Sequence, residues 1–320
     1  VRLPCGARLA ALALLLSWAP PGAAQPPVHR VGVLVSQSWD EEAFRLALRE
    51  LGYREGADLV IDVRSAQGQL ARLPSLAAGL VEAGPHVIVA LNTPGTRAAM
   101  AATRSIPIVM AEVGDPVATG FVRTLARPGG NVTGVSNLCG ELAAKRLSLL
   151  KEALPGARRV AIMLNPADPI TSPQARDSER AAPGLGLEAR QFPVRVVAEL
   201  GAVLEAIVAW RADAAFWLCG QQAVLERDAV PLALRHRLPL MSYRTEAARA
   251  GALLAYSPNR PETMRRVAGY VDRILKGARP ADLPVEQPTK LELVVNRRTG
   301  RALGLAIPSS LLLRADAVID

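Results

Sequence analysis

Short, continuous apolar runs alternate with amphipathic segments along this chain, and halfway along the alternation starts again. Residues 31–35 form an unbroken apolar run closed by Ser36, and similar runs follow at 59–63, 87–91, 106–110 and 132–136. Runs this short, with no polar residue on every second position, suit strands buried on both faces of a parallel sheet. The intervening segments have helix signals. Asp40 is placed to cap a helix whose apolar face carries Phe44, Leu48 and Leu51 and which stops at Gly52. Residues 70–83 read as a second helix. The turn Asn92-Thr93-Pro94 opens a third over about residues 95–103.

The second half repeats this order. Residues 159–164 repeat the first run and end at Asn165-Pro166; Leu185-Gly186-Leu187 echoes Leu51-Gly52-Tyr53. Residues 214–218 echo 87–91, and 238–241 echo 106–110. The spacings differ by several residues, so the echo is structural rather than a strict repeat. It predicts two similar βαβ units in tandem, each a mostly parallel sheet flanked by helices. The chain has 320 residues, enough for two domains. The tail does not add a third unit. It reads as a strand over 252–256, an amphipathic helix over 261–276 stopped by Gly277, a Pro-marked linker over 283–289, a strand over 291–295 and a short helix over 299–305. Such a tail is expected to cross between the units, and crossing strands can act as hinges.

Residues 1–24 differ from the rest. Arg2 and Arg8 flank the start, residues 10–19 are apolar, Pro20-Pro21-Gly22 breaks the run, and Ala23-Ala24 supplies small residues. That order is the order of a secretory signal peptide, and the apolar stretch is too short for a stable bilayer span. Export to the periplasm is therefore expected. Cys5 lies inside this leader, leaving Cys139 and Cys219. An oxidising compartment permits a disulfide between them, but nothing in the sequence shows that they meet, and two buried, unpaired thiols are expected. His29, His86 and His236 stand far apart, so neither a metal set nor a cofactor is expected.

Half the residues are hydrophobic but only 4% are aromatic, so the core must be built of Ala, Leu and Val. The net charge is +9, with the arginines scattered rather than clustered. That pattern argues against nucleic acid as a partner.

In open parallel sheets ligands bind beyond the carboxyl ends of the strands. In the first unit those positions are Ser36, Asn92, Thr93, Gly114, Asp115, Ser136 and Asn137; in the second they are Asn165, Cys219, Gly220 and Tyr243. The candidate ligand-binding residues are Ser36, Asn92, Thr93, Gly114, Asp115, Ser136, Asn165, Gly220 and Tyr243. Backbone N–H groups at the turn 93–95 are suited to a carboxylate, and a buried Asp115 to an ammonium group. Turn and helix-capping chemistry places the same residue types at such positions without a ligand. No nucleophile elbow, phosphate loop, metalloprotease pair or dinucleotide fingerprint is present, and no strand end carries a histidine base, so no catalytic residue is expected. Asp40, Glu41 and Glu42 favour a helix start. Arg244 and Glu246 read as a surface ion pair near the rim of the second unit.

Several segments together resemble the ABC-transporter substrate-binding family related to the tryptophan/tyrosine-binding lipoproteins. They are Leu48-Arg49-Glu50-Leu51-Gly52-Tyr53, Gly114-Asp115-Pro116-Val117, Ala126-Arg127-Pro128-Gly129-Gly130-Asn131-Val132-Thr133-Gly134, Lys145-Arg146-Leu147, Ala255-Tyr256-Ser257-Pro258-Asn259, Ile274-Leu275-Lys276-Gly277, Leu283-Pro284-Val285-Glu286-Gln287-Pro288-Thr289-Lys290 and Leu303-Gly304-Leu305-Ala306-Ile307-Pro308. The resemblance implies a periplasmic-binding type I fold: α/β, with two Rossmann-like, doubly wound parallel-sheet lobes joined by a multi-strand hinge. The lobes would comprise 28–137 plus 257–284 and 138–256 plus 285–320.

It also implies a monomeric solute-binding protein whose ligand, in characterised relatives an aromatic amino acid, sits in the interlobe cleft, and whose partner is an ABC permease. By the same resemblance Thr93, Gly114 and Asp115 fall in cleft loops of the first lobe and Asn165, Gly220 and Tyr243 in those of the second. Two segments depart from the pattern. Cys219-Gly220-Gln221-Gln222 replaces a Pro-Asp-Pro type loop, and the proline-rich stretch 169–183 stands where relatives are helical. Other readings of the same fold are a sensor domain reporting to a membrane receptor, which a neighbouring permease gene would disfavour, and a transferase, disfavoured by the missing catalytic groups.

Overall fold

The computed structural model describes residues 28–36, 39–166, 168, 170–220 and 223–320. Residues 1–27, where the expected leader and Cys5 fall, lie outside the described residues, as do Gln37, Ser38, Ala167, Pro169, Gln221 and Gln222.

The first lobe runs β1 (His29–Val35), α1 (Glu41–Glu50), β2 (Leu59–Ser65), α2 (Leu73–Glu82), β3 (Val87–Leu91), α3 (Asn92–Ala102), β4 (Ile108–Val113) and β5 (Val132–Ser136). The second runs α4 (Ala143–Ala153), β6 (Arg159–Leu164), α5 (Thr171–Ala181), β7 (Glu188–Pro193), α6 (Leu200–Ala209), β8 (Ala214–Trp217), α7 (Ala223–Arg235), β9 (Leu240–Ser242), α8 (Thr245–Ala250) and β10 (Leu254–Pro258). The tail adds α9 (Arg260–Leu275), β11 (Leu291–Asn296), α10 (Arg297–Leu303), α11 (Ser309–Arg314) and β12 (Ala317–Ile319).

The sheet orders show why the pattern restarts. The first sheet is β2-β1-β3-β4-β5 and the second contains β7-β6-β8-β9-β10, the same order shifted by five strands, with all these neighbours parallel. The second sheet is extended by β11, antiparallel to β10, and then β12, parallel to β11. Most of the short apolar runs are buried, as in β3, where every residue is inside; the run in β2 is the exception, because β2 is the edge strand and leaves Val60 exposed. This is the doubly wound α/β fold expected from the sequence. Asp40 caps α1, its side chain accepting from the Ala43 N–H at 3.1 Å. The proline-rich stretch is helical after all: α5 takes Pro173 in its first turn, where no intrahelical N–H is needed.

The chain passes between the sheets three times. It leaves β5 for α4, leaves β10 for α9, and returns from the segment after α9 to β11. Met264, Val267, Ala268, Tyr270 and Val271 of α9 are buried against Val31, Val89, Val109 and Val135 of the first sheet. The returning segment pairs with β5: Glu286 N donates to Gly134 O at 2.9 Å, and Ser136 N donates to Glu286 O at 3.0 Å. Gly134 has φ +135°, and a Cβ there would lie 2.1 Å from Met110 O, so no other residue fits where β5 meets β4. The three crossings are tied together. Asn259 N donates to Lys290 O at 3.0 Å, and Gln287 Nε2 donates to Glu141 Oε1 at 3.3 Å.

Cys139, in the first crossing, and Cys219, at the end of β8, form a disulfide with their Cα atoms 5.7 Å apart. This corrects the expectation of two free thiols. The two cysteines are 80 residues apart in sequence, and only the packing of the crossing segment against the end of β8 brings them together.

Candidate functional site

Strand ends from both lobes meet in one polar network. Ser36 Oγ, after β1, donates to Asn92 Oδ1 at 2.6 Å, and Asn92 Nδ2 donates to Glu112 Oε2 at 3.2 Å. Glu112 sits in a bulge of β4 and, like Asn92, has a left-handed backbone (φ +57° and +62°). Such strain at a strand end re-aims a side chain and is concentrated at functional sites. Arg260, on the first turn of α9, donates from Nε to Glu112 at 2.9 Å and from Nη1 to Glu246 at 2.8 Å. Arg244 Nε stands 3.7 Å from both Glu246 and Glu226, and Ser242 Oγ donates to Glu226. The run from Ser36 to Ser242 thus spans both lobes through Arg260. The expected Arg244–Glu246 pair is present at 3.7 Å, with Glu246 43% exposed, but Arg244 is only 19% exposed and Arg260 takes up the other Glu246 oxygen, so the pair is the outer part of a network that runs inward.

One cavity opens from this network and a second lies beside it, with Cys139 lining both. The inner one is bounded by Arg146, Arg244, Arg260, Glu112, Glu246 and Tyr243, with the disulfide and Pro258. The outer cleft is the larger and lies between Gly114, Asp115, Pro116 and Ser136 of the first lobe and Ile170, Pro173, Gln174 and Asp177 of the second. The lips are close: a Cβ added to Gly114 would lie 3.6 Å from Ile170 Cδ1. Ser136 Oγ and Gln174 Oε1, on opposite walls, are buried without a hydrogen-bond partner. Buried polar atoms are nearly always paired, so two such orphans in residues that line one cleft are unusual. Gln174 is held rigidly, its Nε2 donating to Ile170 O and Cys219 O, both at 2.8 Å.

Burial dominates the electrostatics. It pushes the Arg146 guanidinium down to about 10 and the Glu226 carboxyl up to about 7, the latter opposed by Arg244. Burial also keeps the Tyr243 phenol protonated well above its usual range. For Glu246, burial is outweighed by the guanidiniums of Arg260 and Arg244, and its carboxyl is held below the usual range. The Arg260 charge is reinforced chiefly by Glu112.

The nine residues expected from the sequence are divided by the structure. Gly114, Asp115 and Ser136 line the outer cleft and Tyr243 the inner cavity. Ser36, Asn92, Thr93, Asn165 and Gly220 line neither. Ser36 and Asn92 hold Glu112, as described. Thr93 is buried in the first turn of α3. Asn165 O accepts from Thr171 Oγ1 at 2.6 Å, and Gly220 O accepts from Tyr243 Oη at 2.7 Å. Asp115 is exposed, and its Oδ1 accepts from the N–H groups of Val117 and Ala118 at 3.1 and 2.9 Å, so it also closes its own turn. The sequence reading missed Glu112, Gln174, Arg146 and Arg260 as site residues. Arg146 carried a signal: it interrupts the apolar face of α4 formed by Ala143, Leu147 and Leu150.

The model of the family described as ABC transporter substrate binding protein matches residues 35–319. The Tyrosine-binding protein of Clostridioides difficile (strain R20291) is 26% identical over 266 residues, 83% of this chain and 76% of that protein. Among solved structures, a conserved domain protein from Vibrio cholerae superposes with a TM-score of 0.84 at 28% identity, covering 91% of this chain and 99% of that one. An ABC domain in complex with L-Trp from Streptococcus pneumonia superposes with a TM-score of 0.84 at 25% identity, covering 91% and 100%.

Proposed function

The chain belongs to the ABC transporter substrate-binding protein family, and from that premise we propose that it captures a small solute, an amino acid, between its two lobes and delivers it to a membrane permease. The family is one of solute-binding proteins, not enzymes. The observation that carries the reading is the pair of buried, unpartnered atoms Ser136 Oγ and Gln174 Oε1 on opposite walls of one cleft. A solute bridging them would satisfy both and hold the lobes together, which favours the closed form by its differential contacts.

The three crossings are the hinge in this account, and the lobes move as 28–137 plus 257–284 against 138–256 plus 285–320. Gly114, Asp115, Ser136, Gln174 and Tyr243 touch the solute; Ser36, Asn92, Thr93, Asn165 and Gly220 support the loops around it. The leader-like segment 1–24 and the disulfide support a periplasmic location, and no helix among the described residues is long and apolar enough to cross a membrane. An amino acid is favoured by the L-Trp complex and the tyrosine-binding relative.

The test is thermal unfolding against a library of amino acids, sugars and small acids. A solute at a hundred times its dissociation constant adds about 2.7 kcal/mol, a rise of roughly 5 °C for a chain this long. No rise with any solute would overturn the reading.

A further inference from the structure

We propose that the inner cavity is a carboxylate subsite and that Arg146 is the residue that takes the carboxylate. The inference rests on the solute-binding reading above and names the chemistry of its solute. Arg146 projects from α4 and is 1% exposed. Its Nε donates to Tyr256 O at 2.7 Å and its Nη1 to Cys139 O at 3.2 Å. Its Nη2 has no partner among the described residues, and no carboxylate among them lies within ion-pair distance. A guanidinium buried this deeply is normally paired, because an uncompensated buried charge is costly.

The rest of the cavity wall does not supply the missing charge. Glu112 and Glu246 are both engaged by Arg260, and Arg244 stands near Glu246 and Glu226. Three guanidiniums and two carboxylates line the cavity, leaving one positive charge in surplus. The nearby Glu226 is pushed by burial to about 7, so it offsets that surplus only in part near neutral pH. A planar guanidinium with a free edge suits a carboxylate. Glu246 Oε2 is buried and accepts no hydrogen bond, with Arg244 Nε 3.7 Å away, so an ammonium group beside the carboxylate would find an acceptor in the same cavity.

The experiment is titration calorimetry of the full chain with L-Leu, L-Phe, L-Tyr and L-Trp, the carboxamide of each, the matching 2-oxo acids, and D-ribose. At least one acid is expected to bind, with its carboxamide about 100-fold weaker, as for one lost partner of a buried charge pair. Arg146→Met should abolish that preference, and Arg146→Lys should restore part of it. Equal binding of the 2-oxo acid identifies a simple carboxylate as the solute class, and binding of the amino acid alone identifies a zwitterion; either result supports the subsite. A carboxamide that binds as tightly as its acid overturns it, as does a folded Arg146→Met protein that keeps the preference. Where Arg146→Met does not fold, the acid and carboxamide comparison on the unaltered chain decides. Binding of D-ribose with no acid overturns the subsite and leaves solute binding intact. No binding by the whole panel overturns both.

Discussion

Arg260 Nε lies 2.9 Å from Glu112 Oε1, joining the first turn of α9 to the bulge of β4 across 148 positions of sequence. The same guanidinium reaches Glu246 in the second lobe, so one side chain couples the floor of the cleft to both sheets. Both partners of the Glu112 pair are less than a fifth exposed. Removing one partner strands the other charge, and Arg260→Met is expected to lower stability by about 3 kcal/mol. The double change Arg260→Met with Glu112→Gln should cost less than the sum of the single changes, measured by urea unfolding. Strict additivity would show that the pair is not coupled.

The disulfide anchors the first crossing to the second lobe and closes a loop of 80 residues. Loop-closure entropy for that length corresponds to about 4 kcal/mol. Cys139→Ser with Cys219→Ser, or reduction of the unaltered chain, should lower the denaturant midpoint accordingly. A midpoint unchanged by reductant would mean that the bridge does not constrain the unfolded chain.

Glu226 sets a pH dependence whose sign can be worked out. Its carboxyl titrates near 7 when folded, raised by burial, whereas in the unfolded chain it titrates near the ordinary 4.5. Below 4.5 both states are protonated and the residue costs nothing. As pH rises the unfolded chain ionises first, so stability falls between about 4.5 and 7 and then levels off. Glu226→Gln should remove that fall, making the variant more stable relative to the unaltered chain by up to about 3 kcal/mol at pH 8 and by little at pH 4. Chemical unfolding across pH measures the difference. A gap between the two chains that does not change with pH would contradict it.

Gly134 is expected to tolerate no side chain. Gly134→Ala combines a left-handed φ with a Cβ on Met110 O, and should cost on the order of 3 kcal/mol. Gly130→Ala, with open space around its Cβ, is the control and should be close to neutral. Equal melting temperatures for the two variants would refute the close approach.

Much of the fold was legible because it rests on local periodicity. The apolar runs became strands and Asp40 became a cap. The restarted pattern became two sheets of equivalent order. Of the residues lining the two cavities, only those at strand ends were legible, as for Gly114, Asp115, Ser136 and Tyr243. Glu112 was overlooked because its role depends on a bulge that turns its side chain toward Arg260, and a bulge leaves no mark in an apolar run. The Cys139–Cys219 bridge depends in the same way on where a crossing segment packs. Arg146 was legible as a cation on an apolar helix face, but that only its Nε and Nη1 are engaged appears only once β10 and the first crossing are in place.

The central claim is that a solute binds between the lobes, and titration calorimetry on two proteins tests it most directly. The solute giving the largest thermal shift is titrated into the unaltered chain and into Gly114→Trp, whose indole would fill the cleft facing Ile170. One-to-one binding to the unaltered chain and loss of binding to the folded variant is the expected result. Equal affinity for both would place the solute elsewhere and contradict the account.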